Sequence, residues 1–193
     1  MRDNKYEKIL LVAGRLISQK GFKGTSLQKI SDGVGLHKSS LFHYFKNKEE
    51  ILLRILEHST DEVNAELGKI LKSQTIEPEE KLRRAIENHL TLLGNNFDRV
   101  NVYLNQIQHL SKKNQKIYLR KRKKYEKDLE KIIVEMEENG YFKGLNKKIV
   151  TLGLLGMLNW VAKWFKRKGP LTIKDISNIF YMMITKTNPY KEK

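Results

Sequence analysis

A short run of polar, basic and aromatic side chains in the first quarter of the chain has the chemistry needed to contact nucleic acid. Hydroxyl, imidazole and ammonium groups form hydrogen bonds with base edges and phosphate oxygens. The run consists of His37, Lys38, Ser39, Ser40, His43 and Tyr44. No acidic residue occurs from Gly33 to Lys48, so this run does not repel phosphates. These residue types indicate a surface that binds nucleic acid.

Two short helices joined by a glycine-containing turn are predicted to position these side chains. Thr25 and Gln28 have the spacing of a capping box, which predicts a helix from Ser26 to about Gly33. A further helix is predicted to end at Tyr44, and a small core is expected from Leu27, Ile30, Val34, Leu36 and Leu41. These are the dimensions of a helix-turn-helix, whose second helix enters the major groove of DNA.

The rest of the chain has apolar residues at helical spacing, which predicts an all-α fold of about nine helices. Asn47 and Glu50 form a second capping pattern, so a long helix is expected from Lys48 to Lys72. Later helices are predicted at about 78–94, 99–109, 112–138, 147–168 and 173–186. We therefore predict a three-helix DNA-binding domain at 1–47 and a helical effector-binding and dimerisation domain at 48–193.

Composition narrows the possible functions. The 193 residues carry a formal net charge of +16, which favours an anionic partner such as nucleic acid or an anionic surface. The chain has no Cys, its five His are scattered, and no metal-ligand or nucleophile–base spacing occurs. We therefore expect that the protein is not an enzyme, binds no metal and has no resident cofactor. The sequence has neither a membrane-length apolar run nor a signal peptide, which predicts a cytoplasmic protein without a membrane partner.

The order of residues in the first third resembles the TetR family of bacterial and archaeal repressors. The resemblance is carried by TSLQKI at 25–30, GLHKSSLFHYF at 35–45 and KE at 48–49. It implies double-stranded operator DNA as the partner. It places Thr25 and Ser26 near phosphates, and Tyr44 and Lys48 on the DNA backbone. The side chains that it places against the bases are Lys38, Ser39, Ser40 and His43.

Two positions depart from the family pattern, and several residues have a second interpretation. Ser31 stands where the family prefers Ala, and His37 where it prefers a Ser or Thr cap. Thr25 is also a plain helix cap in structural terms. His43 and Tyr44 are also candidates for packing between the third and fourth helices, an interpretation that we accept for Phe45.

The helix at 147–168 is apolar on two sides, which indicates a partner subunit. One stripe contains Ile149, Leu152, Gly153, Gly156, Trp160 and Trp164, and the other contains Val150, Leu154, Met157 and Val161. The helix at 173–186 has a similar face, formed by Ile173, Ile176, Ile179, Phe180, Met183 and Ile184. We predict a homodimer through these two helices, as the family resemblance also implies.

Inward-facing groups of the middle helices are candidates for binding a small apolar effector. They are Tyr103, Gln106, His109, Tyr118, Tyr125, Leu129, Asn159 and Trp160, and core packing is the alternative for each. The stretches GMLNW at 156–160, WFK at 164–166 and GPLT at 169–172 resemble the branch of the family that senses fatty-acyl-CoA thioesters. That resemblance implies a fatty acyl-CoA whose phosphates meet basic residues such as Arg120, Lys123, Lys124 or Lys166, which are otherwise a solvated basic face.

The sequence thus predicts a repressor that leaves its operator when the effector binds. The alternative is a helical protein that binds DNA or another anionic surface independently of sequence and has no effector. Competition by unrelated DNA distinguishes the two, because only non-specific binding collapses under it.

Overall fold

A computed structural model gives the structure of the protein and describes residues 4–95, 102, 106–166 and 168–186. Within these residues the secondary structure is helical, and the all-α prediction is confirmed. The helices are α1 Asn4–Gly24, α2 Leu27–Val34, α3 Lys38–Leu41, α4 Lys48–Lys72, α5 Pro78–Asn95, α6 Lys112–Glu138, α7 Lys147–Trp164 and α8 Ile173–Lys186. The helix predicted at 99–109 lies largely outside the described residues, and its last turn is a 3₁₀ helix at Ile107–His109.

Local capping explains why several predicted helix starts are confirmed. Asn47 Oδ1 accepts a hydrogen bond from the Glu50 backbone N–H at 2.8 Å, just before α4 begins. Before α7, Asn146 Oδ1 accepts from the Ile149 backbone N–H at 3.2 Å. A side chain that satisfies a free N–H group of the first turn fixes where a helix begins.

The helix α7 ends at Trp164, so the predicted end near residue 168 is wrong. Phe165 follows in an extended conformation, with φ −62° and ψ 134°. Farther on, the Gly169 N–H donates to the Lys166 carbonyl at 2.8 Å in a turn just before Pro170. A proline disfavours the helical conformation in the residue before it, so the helix is also kept from continuing through Gly169.

The structure divides into two compact units. The first unit contains the described residues of 1–61 and 96–121, and the second contains those of 62–95 and 122–193. The core of the first unit includes Ile30, Val34 and Leu41, against which Leu27 and Leu36 pack while partly buried. These five residues are the predicted core of the helix-turn-helix. The boundary predicted after residue 47 separates a DNA-binding domain from an effector-binding and dimerisation domain, and it stays a prediction.

The second unit is built around α5, which packs against α7 and α8. Leu82, Ile86 and Leu90 of α5 are buried, as are Leu158 of α7 and Ile176 of α8. No helix of the described residues is long and apolar enough to cross a membrane.

Candidate functional site

The junction between α1 and α2 is formed by a glycine turn and a serine cap. Gly21 has φ +71°, which interrupts α1 three residues before its last residue, Gly24. Ser26 caps α2, since its Oγ accepts from the Lys29 backbone N–H at 3.1 Å. Thr25 is only 1% exposed, and its hydroxyl donates to the Gly21 carbonyl at 3.0 Å. The prediction that Thr25 caps this helix is therefore wrong, because its side chain is turned into the core.

A close approach to α1 fixes the position of α2, and a left-handed glycine makes the turn from α2 to α3. A Cβ added at Gly33 would lie 2.7 Å from Val12 Cγ1, so any larger residue there would require Val12 or the α1–α2 packing to shift. Gly35 has φ +77° and ψ 39° and ends α2. Ser31, the departure from the family pattern, is fully buried and donates to the Gln28 carbonyl at 2.8 Å.

The α3 segment presents most of its predicted DNA-contacting side chains to solvent. The helix ends at Leu41 and not at Tyr44, but backbone hydrogen bonds between residues three apart continue the turn to Tyr44. The exposed side chains are His37, Lys38, Ser39, Phe42 and His43, whereas Ser40 and Tyr44 are partly buried. Tyr44 packs against the core of the first unit, as its alternative interpretation holds.

Phe42 is a candidate contact that the sequence reasoning missed. Its side chain is 52% exposed, although a large aromatic group usually lies in the core. It stands four residues after Lys38 and therefore on the same face of the segment, which was the available signal. Apolar side chains on a recognition helix contact the methyl group of thymine.

Lys48 has a structural role in the first unit. Its Nζ donates to the Phe22 carbonyl at 2.8 Å and to the Thr25 carbonyl at 2.7 Å. It also lies 4.3 Å from the centre of the Phe22 ring. Burial lowers the pKa of its ammonium group. The predicted contact between Lys48 and the DNA backbone stays a prediction, and the geometry adds that this lysine holds the chain between α1 and α2.

The predicted ligand residues of the first unit contact the α1–α2 junction. Gln106 Oε1 accepts from the Phe22 backbone N–H at 3.1 Å, and the His109 ring stacks on Phe22 with 5.2 Å between ring centres. Tyr118 is fully buried in the same core. Tyr103 lies outside the described residues.

The second unit contains a polar cluster formed by His89, Tyr125 and Asn159. His89 Nδ1 lies 2.9 Å from the Tyr125 hydroxyl, and the two rings are 5.6 Å apart. Loss of solvent lowers the pKa of His89 to about 4, and a hydrogen bond with Asn159 opposes this shift. Tyr125 and Leu129 are buried, as predicted. Trp160, which was predicted to face inward, is instead 64% exposed.

His89 was missed because its sequence context resembles that of a structural histidine. The signal was its place on α5, where it shares a face with Leu82, Ala85, Ile86 and Leu93 at helical spacing. A histidine on an apolar face needs a partner for each ring nitrogen. Tyr125 is the partner of Nδ1, and Asn159 also forms a hydrogen bond with the His89 side chain.

One side of α7 is apolar and exposed, and it coincides with the first of its two predicted stripes. The exposed side chains are Ile149 at 65%, Leu152 at 42%, Trp160 at 64% and Trp164 at 42%. A Cβ added at Gly153 or Gly156 would meet nothing within 4 Å. On the opposite side, Leu154 and Val161 are buried. We name the exposed side the α7 apolar face; it consists of Ile149, Leu152, Gly153, Gly156, Trp160 and Trp164.

The predicted face of α8 is only partly exposed. Ile179 and Met183 are 39% and 52% exposed, and Met182 beside them is 41% exposed. Ile176 is buried in the second unit because it packs inward. The remaining members, Ile173, Phe180 and Ile184, are partly buried.

The helical fold, the glycine turn and the exposed face of α3 define a helix-turn-helix DNA-binding protein. Comparison with known proteins identifies its family. Residues 9–55 match the family described as "Bacterial regulatory proteins, tetR family", and residues 75–187 match "Tetracyclin repressor-like, C-terminal domain". The chain belongs to the TetR family of transcriptional regulators. It is therefore a DNA-binding regulator, and the family is not one of enzymes.

Individual relatives are similar to this chain over nearly its whole length. The transcriptional repressor KstR2 of Mycobacterium tuberculosis is 24% identical over 179 residues, which cover 92% of this chain and 89% of the relative. The TetR family regulator PfmR of Thermus thermophilus has a TM-score of 0.85 and 30% identity, with 96% and 99% of the chains covered. AibR, solved in complex with isovaleryl coenzyme A and operator DNA, has a TM-score of 0.84 and 27% identity, with 94% and 98% covered.

Proposed function

We propose that this regulator is a homodimeric repressor that leaves its operator when it binds an acyl-CoA, with a fatty acyl-CoA as the first candidate. The name of KstR2 describes a repressor, and AibR was solved with both a coenzyme A thioester and operator DNA. Both likenesses extend over more than nine-tenths of this chain. In this proposal the effector is the only small-molecule ligand, there is no resident cofactor, and the protein acts in the cytoplasm.

The proposed base contacts are the exposed side chains of the α3 segment. Lys38, Ser39 and His43 offer donors to base edges, and Phe42 offers an apolar surface to thymine methyl groups. Ser40 contributes from its partly exposed position. Ser26, His37 and Tyr44 are the proposed contacts to phosphate. Thr25 supports this surface from the core, because its hydroxyl is already bonded to Gly21.

The α7 apolar face is the observation that carries the dimer. Two exposed tryptophans and two exposed aliphatic side chains on one helix are costly to leave in water. The open space beside Gly153 and Gly156 lets another helix approach closely. A second copy of the chain suits this surface, because a two-fold dimer also presents two recognition helices to two half-sites.

The polar cluster of the second unit supports the proposed effector site. Amide and hydroxyl groups such as those of Asn159 and Tyr125 are partners for a thioester carbonyl. The buried Leu129 belongs to the apolar surroundings that an acyl chain requires. Of the basic residues proposed for the CoA phosphates, Arg120, Lys123 and Lys166 are exposed, whereas Lys124 is paired with Asp128 at 2.5 Å. Gln106, His109 and Tyr118 stay predicted effector contacts.

The proposed mechanism is a shift between two populations of the dimer. The effector-free dimer fits the operator, and the effector favours a dimer whose recognition helices have another spacing. The continuous helix α4 contributes residues to both compact units and is the proposed connection. Thermodynamic linkage then requires operator DNA to weaken effector binding by the same factor.

The test is an anisotropy titration of the full chain against DNA from its own upstream region, at fixed salt with excess unrelated DNA. Isovaleryl-CoA and palmitoyl-CoA are the probes, and free coenzyme A is the control. We expect competitor-resistant binding that one of the thioesters releases. Asn159→Ala should bind the operator normally but resist release, whereas Asn139→Ala, an exposed asparagine bonded to Glu79, should behave as wild type. Specific binding that neither thioester weakens would discard this effector class and retain the regulator.

A further inference from the structure

The start of α6 carries a second basic surface. Residues 112–124 contain eight Lys or Arg and no Asp or Glu. This pattern repeats what makes the α3 segment suited to phosphates, with a higher density of positive charge. The part of α6 up to residue 121 belongs to the first compact unit, as do α2 and α3.

Four cations of this part of α6 share one face. A helix rotates by about 100° per residue, so the four fall within an arc of about 100°. They are Lys112, Lys113, Lys116 and Arg120, and we name them the basic arc. The buried Tyr118 lies on the opposite side of the helix. At a rise of about 1.5 Å per residue, the basic arc extends for about 12 Å along α6.

The described residues of the protein do not neutralise the basic arc. Lys121, on another side of the helix, lies 3.2 Å from Glu57 Oε1 and 2.7 Å from Asp61 Oδ2. The four residues of the basic arc are exposed, and within the described parts of the chain they form no ion pair. Four adjacent cations repel one another, and an anionic partner would relieve that repulsion.

Hydrogen bonds attach the start of α6 to other helices of the unit that contains the DNA-contacting surface. Glu49 Oε1, in the first turn of α4, accepts from the Ser111 backbone N–H at 2.8 Å and from Asn114 Nδ2 at 2.5 Å. The bond from Ser111 is the largest cause that lowers the pKa of Glu49. Gln106 and His109 contact Phe22 in the same unit. The basic arc is therefore part of the body that binds DNA.

We propose that the basic arc is a second DNA contact, which binds the phosphate backbone of the duplex that α3 reads. DNA is the polyanion that the α3 segment of the same unit is suited to bind. Each strand carries one phosphate per about 3.4 Å of axis, so a 12 Å arc matches about three or four of them. The contact would strengthen binding without reading sequence, because phosphates carry no base information. The proposal depends on the DNA binding of the family and not on the effector.

The test measures how DNA affinity depends on salt. The full-length variant Lys112→Gln, Lys113→Gln, Lys116→Gln is titrated by anisotropy against an upstream-region fragment and an unrelated 30-base-pair duplex, at several NaCl concentrations. The slope of log affinity against log salt is negative, and each lost phosphate contact reduces its magnitude by about 0.9. We therefore expect the magnitude of the slope to decrease by about 2.7 per subunit on both duplexes. The ratio of specific to unrelated affinity should stay unchanged.

A matched control separates a local contact from a change in net charge. Lys143→Gln, Lys168→Gln, Lys174→Gln removes three exposed lysines of the second unit and changes the net charge equally. Its slope should stay within about 0.5 of wild type. Single variants at Lys116 and Arg120, each changed to Gln, should lower the slope by about 0.9 per contact, so the result does not depend on how the triple variant folds.

Three results would overturn the proposal. Equal slopes for the triple variant and its control would show only a general charge effect. An unchanged slope together with weakened palmitoyl-CoA binding would assign the basic arc to the effector phosphates. An unchanged slope together with lost binding to vesicles of phosphatidylglycerol would assign it to a lipid surface. If the protein binds no operator specifically, the triple variant should still have a shallower salt slope than wild type on unrelated DNA. Failure of the proposed function can therefore be distinguished from failure of this proposal.

Discussion

The two compact units distribute polar and apolar side chains in opposite ways. In the first, the α3 segment exposes Lys38, Ser39 and His43, while Ile30 and Leu41 behind it are fully buried or nearly so. In the second, α7 exposes Ile149 and Trp160, whereas the polar groups of His89 and Asn159, which are partly buried, meet the buried Tyr125. A surface that binds phosphates and bases must be polar, whereas a surface that binds another copy of the chain is apolar.

This contrast separates three kinds of residue by what their removal should change. Residues of the α3 surface should affect DNA affinity alone, and residues of the α7 apolar face should affect assembly first. Buried residues should affect stability. The predictions below test these separations.

The largest effect is expected from charges on the α7 apolar face. Ile149→Glu with Trp160→Glu places four carboxylates in the proposed dimer interface, where their desolvation is costly. We expect the dimer dissociation constant to rise more than about a thousandfold, equivalent to about 4 kcal/mol, in sedimentation equilibrium. Val134→Glu, at an exposed apolar position of α6, should leave it unchanged. A double variant that stays dimeric would remove this face from the interface.

Neighbouring residues of the α3 segment should separate stability from DNA affinity. Leu41 is 1% exposed, so Leu41→Ala should lower the free energy of unfolding by about 3 kcal/mol in urea titrations. Phe42 is 52% exposed, so Phe42→Ala should change it by less than about 0.5 kcal/mol. The same variant should weaken operator binding about tenfold by anisotropy. If Phe42→Ala loses stability but keeps its operator affinity, this ring has a structural role and does not contact DNA.

The polar cluster predicts a pH dependence of stability. The pKa of His89 in the folded protein is about 4, below its ordinary value of 6.5, so folding favours the neutral ring. Its contribution is complete above pH 6.5 and is lost as the pH falls toward 4. We expect the free energy of unfolding to fall by about 2 kcal/mol between about pH 7.5 and pH 5 on this account. His89→Gln should remove that part of the slope, whereas exposed His37→Gln should not.

The smallest effects are expected from two glycines in opposite surroundings. Gly33→Ala places a Cβ against Val12 and should destabilise the first unit by about 1 kcal/mol. Gly156→Ala has open space and should stabilise the isolated protomer by up to about 1 kcal/mol. If another helix packs there, the same change should weaken the dimer several-fold. Urea titration and sedimentation measure the two effects, and a strengthened dimer would contradict close packing at Gly156.

Much of the fold could be predicted because its signals are local. The caps Asn47, Asn146 and Thr172 act within four residues, and the structure starts α4, α7 and α8 directly after them. The period of apolar residues on α7 predicted two apolar sides, and the structure buries one of them and exposes the other. The end of α7 was placed too late because a basic, aromatic segment continued the helical pattern up to the turn at Gly169.

The roles of site residues were predicted less well where those roles depend on contacts with residues far away in the sequence. Ser26 and Thr25 are both good caps by type, and only the core decides that Thr25 turns inward. Lys48 stays a predicted contact to the DNA backbone, and only the tertiary structure adds that its ammonium group reaches the carbonyls of Phe22 and Thr25 more than twenty residues away. His89 looked isolated until α5 and α6 brought it to Tyr125.

The sequence by itself determined the starts of α4, α7 and α8, the helix-turn-helix, the acid-free surface of α3 and the two apolar sides of α7. Each follows from interactions within one or two helical turns or from the order of side-chain types. The tertiary structure alone decided which hydroxyl is buried, which lysine is held by carbonyls and which histidine loses its solvent. Those outcomes depend on burial and on partners far apart in the chain, which no local pattern specifies.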